Sequence, residues 1–354
     1  MAKPIIGISQ GDPNGVGLEV IIKSLQHDYI FDYCIPVVYC NPKSMNFTKK
    51  TLGTDKPNYN LIKDVSEIKQ RQVNVIASSQ EPFEVQYGTP SETAGKEALM
   101  AIDRMLADAQ SGKIHAMVTA PVDKSTVKTE AGFSGHTGYI TKYFGVENSL
   151  MILANEDIRV GLVTEHVAVS KVAQHITIDN ILNKLRVANQ SLKRDFGIVK
   201  PRIAVLGLNP HNGDNGTLGT EEKDIIKPAI KQATEEGIFC FGPYSADGFF
   251  GIHTYSQFDL VLAMYHDQGL IPFKSIAFDD GINYTAGLPV IRTSPDHGTG
   301  YDIAGKNIAS FESFSNALFF AIKTYHQQNE TDELKSNPLL FSELKRERFR
   351  LEQA

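Results

Sequence analysis

The sequence predicts an α/β protein built on a mostly parallel sheet. Three observations carry this reading: short β-branched apolar runs recur along the chain, amphipathic helical segments alternate with them, and 354 residues exceed what one ordinary core organises. The length points to two domains, or to one two-lobed unit with a cleft between the lobes.

The expected strands are Ile5–Ser9, Ile35–Tyr39, Val73–Ile76, Ala116–Thr119, Leu150–Ala154, Val160–Thr164, Ile203–Leu208 and Leu260–Met264. Continuous apolar runs of this kind suit strands covered on both faces, as parallel sheets require. Ser91–Gln110 reads as a helix with Leu99, Ile102 and Leu106 on one face, and Ile178–Phe196 as another with Ile181, Leu185 and Leu192. Thr177 is placed to cap the second helix, and Gly197 to follow its end in the left-handed conformation. No internal repeat or Pro/Ser-rich linker appears, so crossing strands or helices are expected to join the lobes. The charged stretch from Glu343 to Gln353 reads as a terminal surface helix.

Hydrophobic residues make up 42% and charged residues 21%, the balance of a chain that folds throughout. A net charge of −6 with mixed signs offers no broad cationic face, so small molecules rather than nucleic acids are the expected partners. No apolar run approaches the roughly 20 residues that span a bilayer, and the N-terminus lacks the features of a signal peptide. A soluble cytoplasmic enzyme is therefore expected. Cys34, Cys40 and Cys240 are odd in number and show no CxxC spacing, so buried free thiols are expected.

His166, His211 and His266 each end an apolar strand-like segment. In parallel sheets the carboxyl ends of strands line the ligand crevice, where three imidazoles from distant parts of the chain can meet on one divalent cation. Any one of them alone reads as a hydrogen-bonded loop histidine; the repetition points to a set. Asp267 and Asp247 either orient a ligating imidazole or serve as turn and cap residues. His175 reads as structural.

Lys274 and Arg292 end two further apolar runs, both expected to be strand ends, and with Asn283 they suit a phosphorylated acid. Taken singly, each reads as a surface charge. His136 and Thr137 sit in a turn flanked by glycines, where a ligand can approach closely or the histidine simply orders the turn. The segment Gly11–Gly17 joins a strand to a helix whose start can face an anion, but it matches neither GxGxxG nor the P-loop pattern. The stretch from Asp296 to Lys306, rich in glycine and polar groups, suits a loop wrapped around a ligand.

These strings resemble the 4-hydroxythreonine-4-phosphate dehydrogenases of pyridoxal phosphate biosynthesis, relatives of the isocitrate and isopropylmalate dehydrogenases. The markers are GDPNGVGLE from Gly11, TAPVDK from Thr119, SGHTG from Ser134, GLNPHNGDNGTLGTEE from Gly207, AMYHDQGLIPFK from Ala263 and GLPVIRTSPDHGTGYDIAGK from Gly287. The resemblance implies the two-lobed isocitrate/isopropylmalate dehydrogenase-like α/β fold, with mostly parallel sheets and a central cleft. Residues 1–132 and 286–354 would form an outer lobe with the nicotinamide-nucleotide loop, and residues 133–285 a central lobe for metal binding and dimerisation.

The resemblance further implies that His166, His211 and His266 hold zinc, magnesium or cobalt, and that His136, Thr137, Lys274, Asn283 and Arg292 hold the substrate. His297, Gly298, Thr299, Asp302 and Gly305 would contact NAD or NADP. A homodimer is implied, with the active site at the interface and one metal histidine from the partner chain. Leu18, Asp123, Gly138, Gly300 and Tyr301 depart from the usual pattern, which touches substrate fit and cofactor contacts but not the three histidines.

The implied reaction is oxidation of 4-phosphohydroxy-L-threonine to 2-amino-3-oxo-4-phosphobutanoate, a β-keto acid that decarboxylates to 3-amino-2-oxopropyl phosphate. Asp247, Asp267 and Lys124 are the candidate bases. The rivals are a sister dehydrogenase acting on 4-phospho-erythronate or 4-phospho-threonate, and a three-histidine zinc hydrolase in which Glu165 activates water. A metal-storing or scaffold protein ranks last, because it leaves the paired cations unexplained.

Overall fold

The structure is a computed structural model that describes residues 3–129, 132–133, 135–278 and 280–338. The stretch 343–353, expected to be helical, lies outside the described residues, as does Ser134. Twelve strands follow one another: β1 (Ile5–Ser9), β2 (Ile35–Cys40), β3 (Tyr59–Ile62), β4 (Val73–Ala77), β5 (Ala116–Thr119) and β6 (Leu150–Ala154), then β7 (Arg159–Leu162), β8 (Arg202–Leu206), β9 (Phe239–Tyr244), β10 (Leu260–Ala263), β11 (Ile282–Ala286) and β12 (Ile291–Pro295). They form one sheet in the order β3-β4-β2-β1-β5-β12-β11-β6-β7-β10-β8-β9. Pairing is antiparallel only at β11–β12, β6–β11 and β6–β7, so the expected mostly parallel α/β architecture is what the chain adopts.

The eight expected strands all form, three of them ending one or two residues earlier than the apolar run does. The helix Glu92–Gln110 starts at Ser91, whose side chain accepts from the Ala94 amide, and buries Ala98, Ile102 and Leu106 at helical spacing against β1 and β2. Thr177 caps the helix Ile178–Arg194 by accepting from the Asn180 amide, and Gly197 lies just beyond it at φ 72°. The long helix Glu312–Ser336 packs on β12, β5 and β11, covering the centre of the sheet. All three cysteines are buried and free.

Two placements differ from expectation. Lys274 is inside the helix His266–Ile276 rather than at a strand end: Gly269, Leu270 and Phe273 are buried against β7 and β10 while Ile271 is 64% exposed, the period of a helix. Arg292 is the second residue of β12, in the middle of the sheet rather than at its rim. No helix of the described residues is long and apolar enough to cross a membrane.

Candidate functional site

A cavity of about 610 Å³ opens where β5, β11 and β12 meet the segment after β7. Arg292 forms its floor, 2% exposed, because β12 is covered on both faces. Its Nη1 donates to Thr285 Oγ1 at 3.0 Å and its Nη2 to Thr119 Oγ1 at 2.7 Å, while Nε has no partner. Burial pulls the guanidinium down to about 10, partly offset by Glu165, so it stays charged at neutral pH.

His136 begins the helix His136–Tyr143 and is half-buried; desolvation, then Arg292 and Lys124, lower its imidazole to about 3. It is therefore neutral, and its Nε2 has no partner. Asn283 Oδ1 on β11 and His297 Nε2 are likewise buried without partners, and both residues line the cavity. His136, Asn283, Arg292 and His297 thus each line the cavity and each hold a buried polar atom that forgoes a hydrogen bond, a cost of about 1–3 kcal/mol apiece. Thr137 also lines the cavity. Lys274 projects in from its helix, with Nζ 3.3 Å from Asp296 Oδ2, and burial raises the Asp296 carboxyl against that cation.

His166 and His266 stand together at the cavity wall, ring centroids 6.1 Å apart. His266 Nδ1 lies 2.7 Å from Asp267 Oδ1; donating there leaves Nε2 as a free lone pair. The His166 Nε2 accepts from Lys124 Nζ at 3.1 Å, and burial, then the Lys124 charge, keep this ring below its usual pKa. His211 does not join them: it sits in a left-handed turn after β8 and does not line the cavity. Among the described residues of one chain, no three His, Cys, Asp or Glu side chains converge as a metal site. Two imidazoles suit a borderline divalent cation, and a third donor has to come from outside this group. Asp247 is on the His211 side, its carboxyl lowered by the Ser245 hydroxyl and the Gly248 amide, with His211 adding to the effect.

The loop after β12 divides in two. His297 and Gly298 line both the main cavity and a smaller one of about 330 Å³ walled by Val16, Phe278, Ile303 and Ala309. Thr299, Asp302 and Gly305 line neither. Thr299 accepts from the Val16 amide at 2.9 Å, and Tyr301 donates to Asp12 Oδ2 at 2.7 Å. The start of the first helix is thus covered by this loop instead of facing an anion, and a Cβ at Gly15 would lie 2.5 Å from the Thr299 carbonyl. Burial raises the Asp12 carboxyl, opposed by the Tyr301 hydroxyl.

Of the other lining residues, Asn180 and Lys184 escaped the sequence reading, His175 reads there as structural, and Glu165 enters it only in the rival hydrolase reading. Lys184 donates to the Ser149 carbonyl at 2.6 Å, and burial lowers its ammonium. In the sequence it falls on the polar side of an amphipathic helix, which reads as solvent-facing. Nothing in composition signals that this side turns to a cavity.

Comparison with known proteins adds independent findings. The family described as "Pyridoxal phosphate biosynthetic protein PdxA" matches residues 32–321. A protein of Bacteroides thetaiotaomicron named 4-hydroxythreonine-4-phosphate dehydrogenase is 47% identical over 336 residues, covering 94% of this chain and 92% of that protein. The crystal structure of the Klebsiella pneumoniae enzyme of the same name superposes with a TM-score of 0.79 at 33% identity, over 91% of this chain and 100% of that one. Isocitrate dehydrogenase from Methylococcus capsulatus shares the fold alone, with a TM-score of 0.51 at 12% identity over 94% of this chain and 89% of that one.

Proposed function

The chain belongs to the PdxA family, and from that membership and its buried donor set we propose that it oxidises 4-phosphohydroxy-L-threonine as an NAD(P)-linked 4-hydroxythreonine-4-phosphate dehydrogenase. The observation that carries the substrate reading is one cavity lined by the cations of Arg292 and Lys274 together with His136, Asn283 and His297.

Arg292, held by two threonine hydroxyls, puts a positive charge in the cavity floor, and Lys274 brings a second to the same space, a pair suited to an anionic substrate group. Neutral His136 offers a hydrogen bond without repelling a neighbouring cation. His166 and His266 would hold a divalent cation, with His211 of a second copy of the chain completing the set. When bound, that cation supplies Lewis-acid polarisation of the substrate hydroxyl, and a nicotinamide nucleotide supplies the hydride acceptor. Lys124, beside His166, is the candidate base nearest these imidazoles, and taking the hydroxyl proton would require its neutral amine form. The loop from His297 to Gly305 would carry the nucleotide, its smaller apolar cavity suiting a flat ring. Residues 133–285 contain β6 to β10, all but the last residue of β11, and both cavity-wall imidazoles, in keeping with a central lobe for metal and dimer contacts.

Following reduction of NAD or NADP with 4-phosphohydroxy-L-threonine, with and without chelator, tests the reading. Turnover that a chelator abolishes and zinc, magnesium or cobalt restores is the expected result. A strong preference for 4-phospho-erythronate or 4-phospho-threonate would reassign the substrate, and phosphate release without any nucleotide would replace the dehydrogenase with a hydrolase.

A further inference from the structure

We propose that Glu222 is a positioning residue for His211, holding the left-handed turn that aims its imidazole, and this rests on the reading that His211 binds the cation. After β8 the chain runs through His211, Asn212, Gly213, Asp214 and Asn215 at φ 52°, 53°, 78°, 43° and 54°. Four of the five carry a Cβ, and left-handed backbone costs such residues on the order of 1 kcal/mol each, so the surroundings must hold the turn in place.

Glu222 supplies that hold. It is 2% exposed, and among the described residues it has no ion-pair partner. Its carboxylate faces N–H donors instead: Oε1 accepts from the Leu208 amide at 2.8 Å and the Asn209 amide at 2.7 Å, and Oε2 accepts from Asn209 Nδ2 at 3.0 Å. These donors are the last residues before the left-handed run. Farther along, Asn212 Nδ2 donates to the Pro243 carbonyl at 2.9 Å. Gly213 closes the fit, since a Cβ there would lie 2.8 Å from Glu222 Oε2 and 2.6 Å from the Gly219 carbonyl. The direction in which His211 leaves the sheet is therefore fixed by a carboxylate that does not touch it.

A plain structural role would lower stability and leave cation binding alone; a positioning role moves cation affinity. The test uses the full chain: Co²⁺ affinity by equilibrium dialysis and the visible absorption of bound Co²⁺, for wild type, Glu222→Gln and His211→Asn. Glutamine keeps one acceptor but turns an NH₂ toward Asn209 Nδ2. The expected result is a loss of about 10- to 100-fold in Co²⁺ affinity for Glu222→Gln, the scale seen when a ligand's support is removed, with a spectrum shifted toward that of His211→Asn. Wild-type affinity and spectrum in Glu222→Gln, with affinity lost in His211→Asn, would overturn the proposal alone. Wild-type affinity in His211→Asn would instead sink the metal reading beneath it. Should Glu222→Gln fail to fold, Asn209→Ala, which removes the side-chain arm of the clamp together with its bond to Glu221 Oε2 at 2.7 Å, decides by the same two readouts, with Glu221→Gln as the control for that second bond.

Discussion

Lys124 Nζ donates to His166 Nε2 at 3.1 Å, so an ammonium occupies the lone pair that a cation would need. A divalent ion on that nitrogen must displace the lysine and bear its like charge nearby. Lys124→Met is expected to bind Co²⁺ more tightly by roughly fivefold, a repulsion of about 1 kcal/mol at an exposed site. Turnover should fall by about 10²-fold if the lysine also takes the substrate proton. Calorimetric titration with the ion, set beside the steady-state rate, separates the two effects.

Arg292→Lys keeps the charge and loses the fork. A lysine cannot reach Thr119 and Thr285 together and still face the ligand, so one buried hydroxyl or the substrate anion is left short. KM for the phosphorylated substrate should rise about 30-fold, or about 2 kcal/mol for a lost charge-assisted bond, while nucleotide affinity is unchanged. Steady-state kinetics with each substrate varied in turn provide the check.

The half-buried His136 gives the fold a defined acid sensitivity. Its folded value of about 3 lies below the 6.5 of an exposed histidine, so between these values the unfolded chain binds the extra proton. Stability from this group is complete above about pH 6.5 and declines as pH falls toward 3, by up to about 1.4 kcal/mol per unit. His136→Gln should flatten that slope, which urea midpoints measured from pH 7 to pH 5 would reveal.

At Gly15 the constraint is steric. Alanine there places a methyl group 2.5 Å from the Thr299 carbonyl and must push the loop from the first turn. KM for the nicotinamide nucleotide is expected to rise about tenfold, of the order of 1.4 kcal/mol, with Co²⁺ affinity intact. A parallel rise in both constants would instead indicate general disruption.

Tyr284→Phe probes stability away from the chemistry. The buried Tyr284 hydroxyl donates to Asp195 Oδ2 at 2.7 Å, where Ser191 also donates, while Gln328 donates to Oδ1. Removing one donor from an enclosed carboxylate should cost about 1–3 kcal/mol in chemical denaturation and leave the Km values of the native enzyme within twofold.

Sequence pattern revealed the apolar strands and the two capped helices because burial on both faces demands unbroken runs. It did not reveal β11 and β12. Ile-Asn-Tyr-Thr-Ala and Ile-Arg-Thr-Ser-Pro are polar strings, yet they occupy the middle of the sheet, since Asn283, Arg292 and Ser294 line the cavity while Tyr284 and Thr293 donate to Asp195 and the Ala317 carbonyl. β3 and β9 were missed for the opposite reason: they are sheet edges with exposed positions. At the site, a glycine-flanked turn singles out His136, while Arg292 and Asn283 stand out only as groups suited to a phosphorylated acid, and Lys184 and Asn180 lie on what reads as an ordinary wet helix face. Lys274 misled because four apolar neighbours fit a strand as well as one helical turn.

The place of β12 between β5 and β11 also bears on how the chain is made. On the ribosome, the sheet begun by β1 to β5 keeps one open edge until Ile291 emerges, long after its neighbours have formed. Such an edge recruits other chains, so nascent or truncated forms ending before that strand should clump while the full-length product stays dispersed.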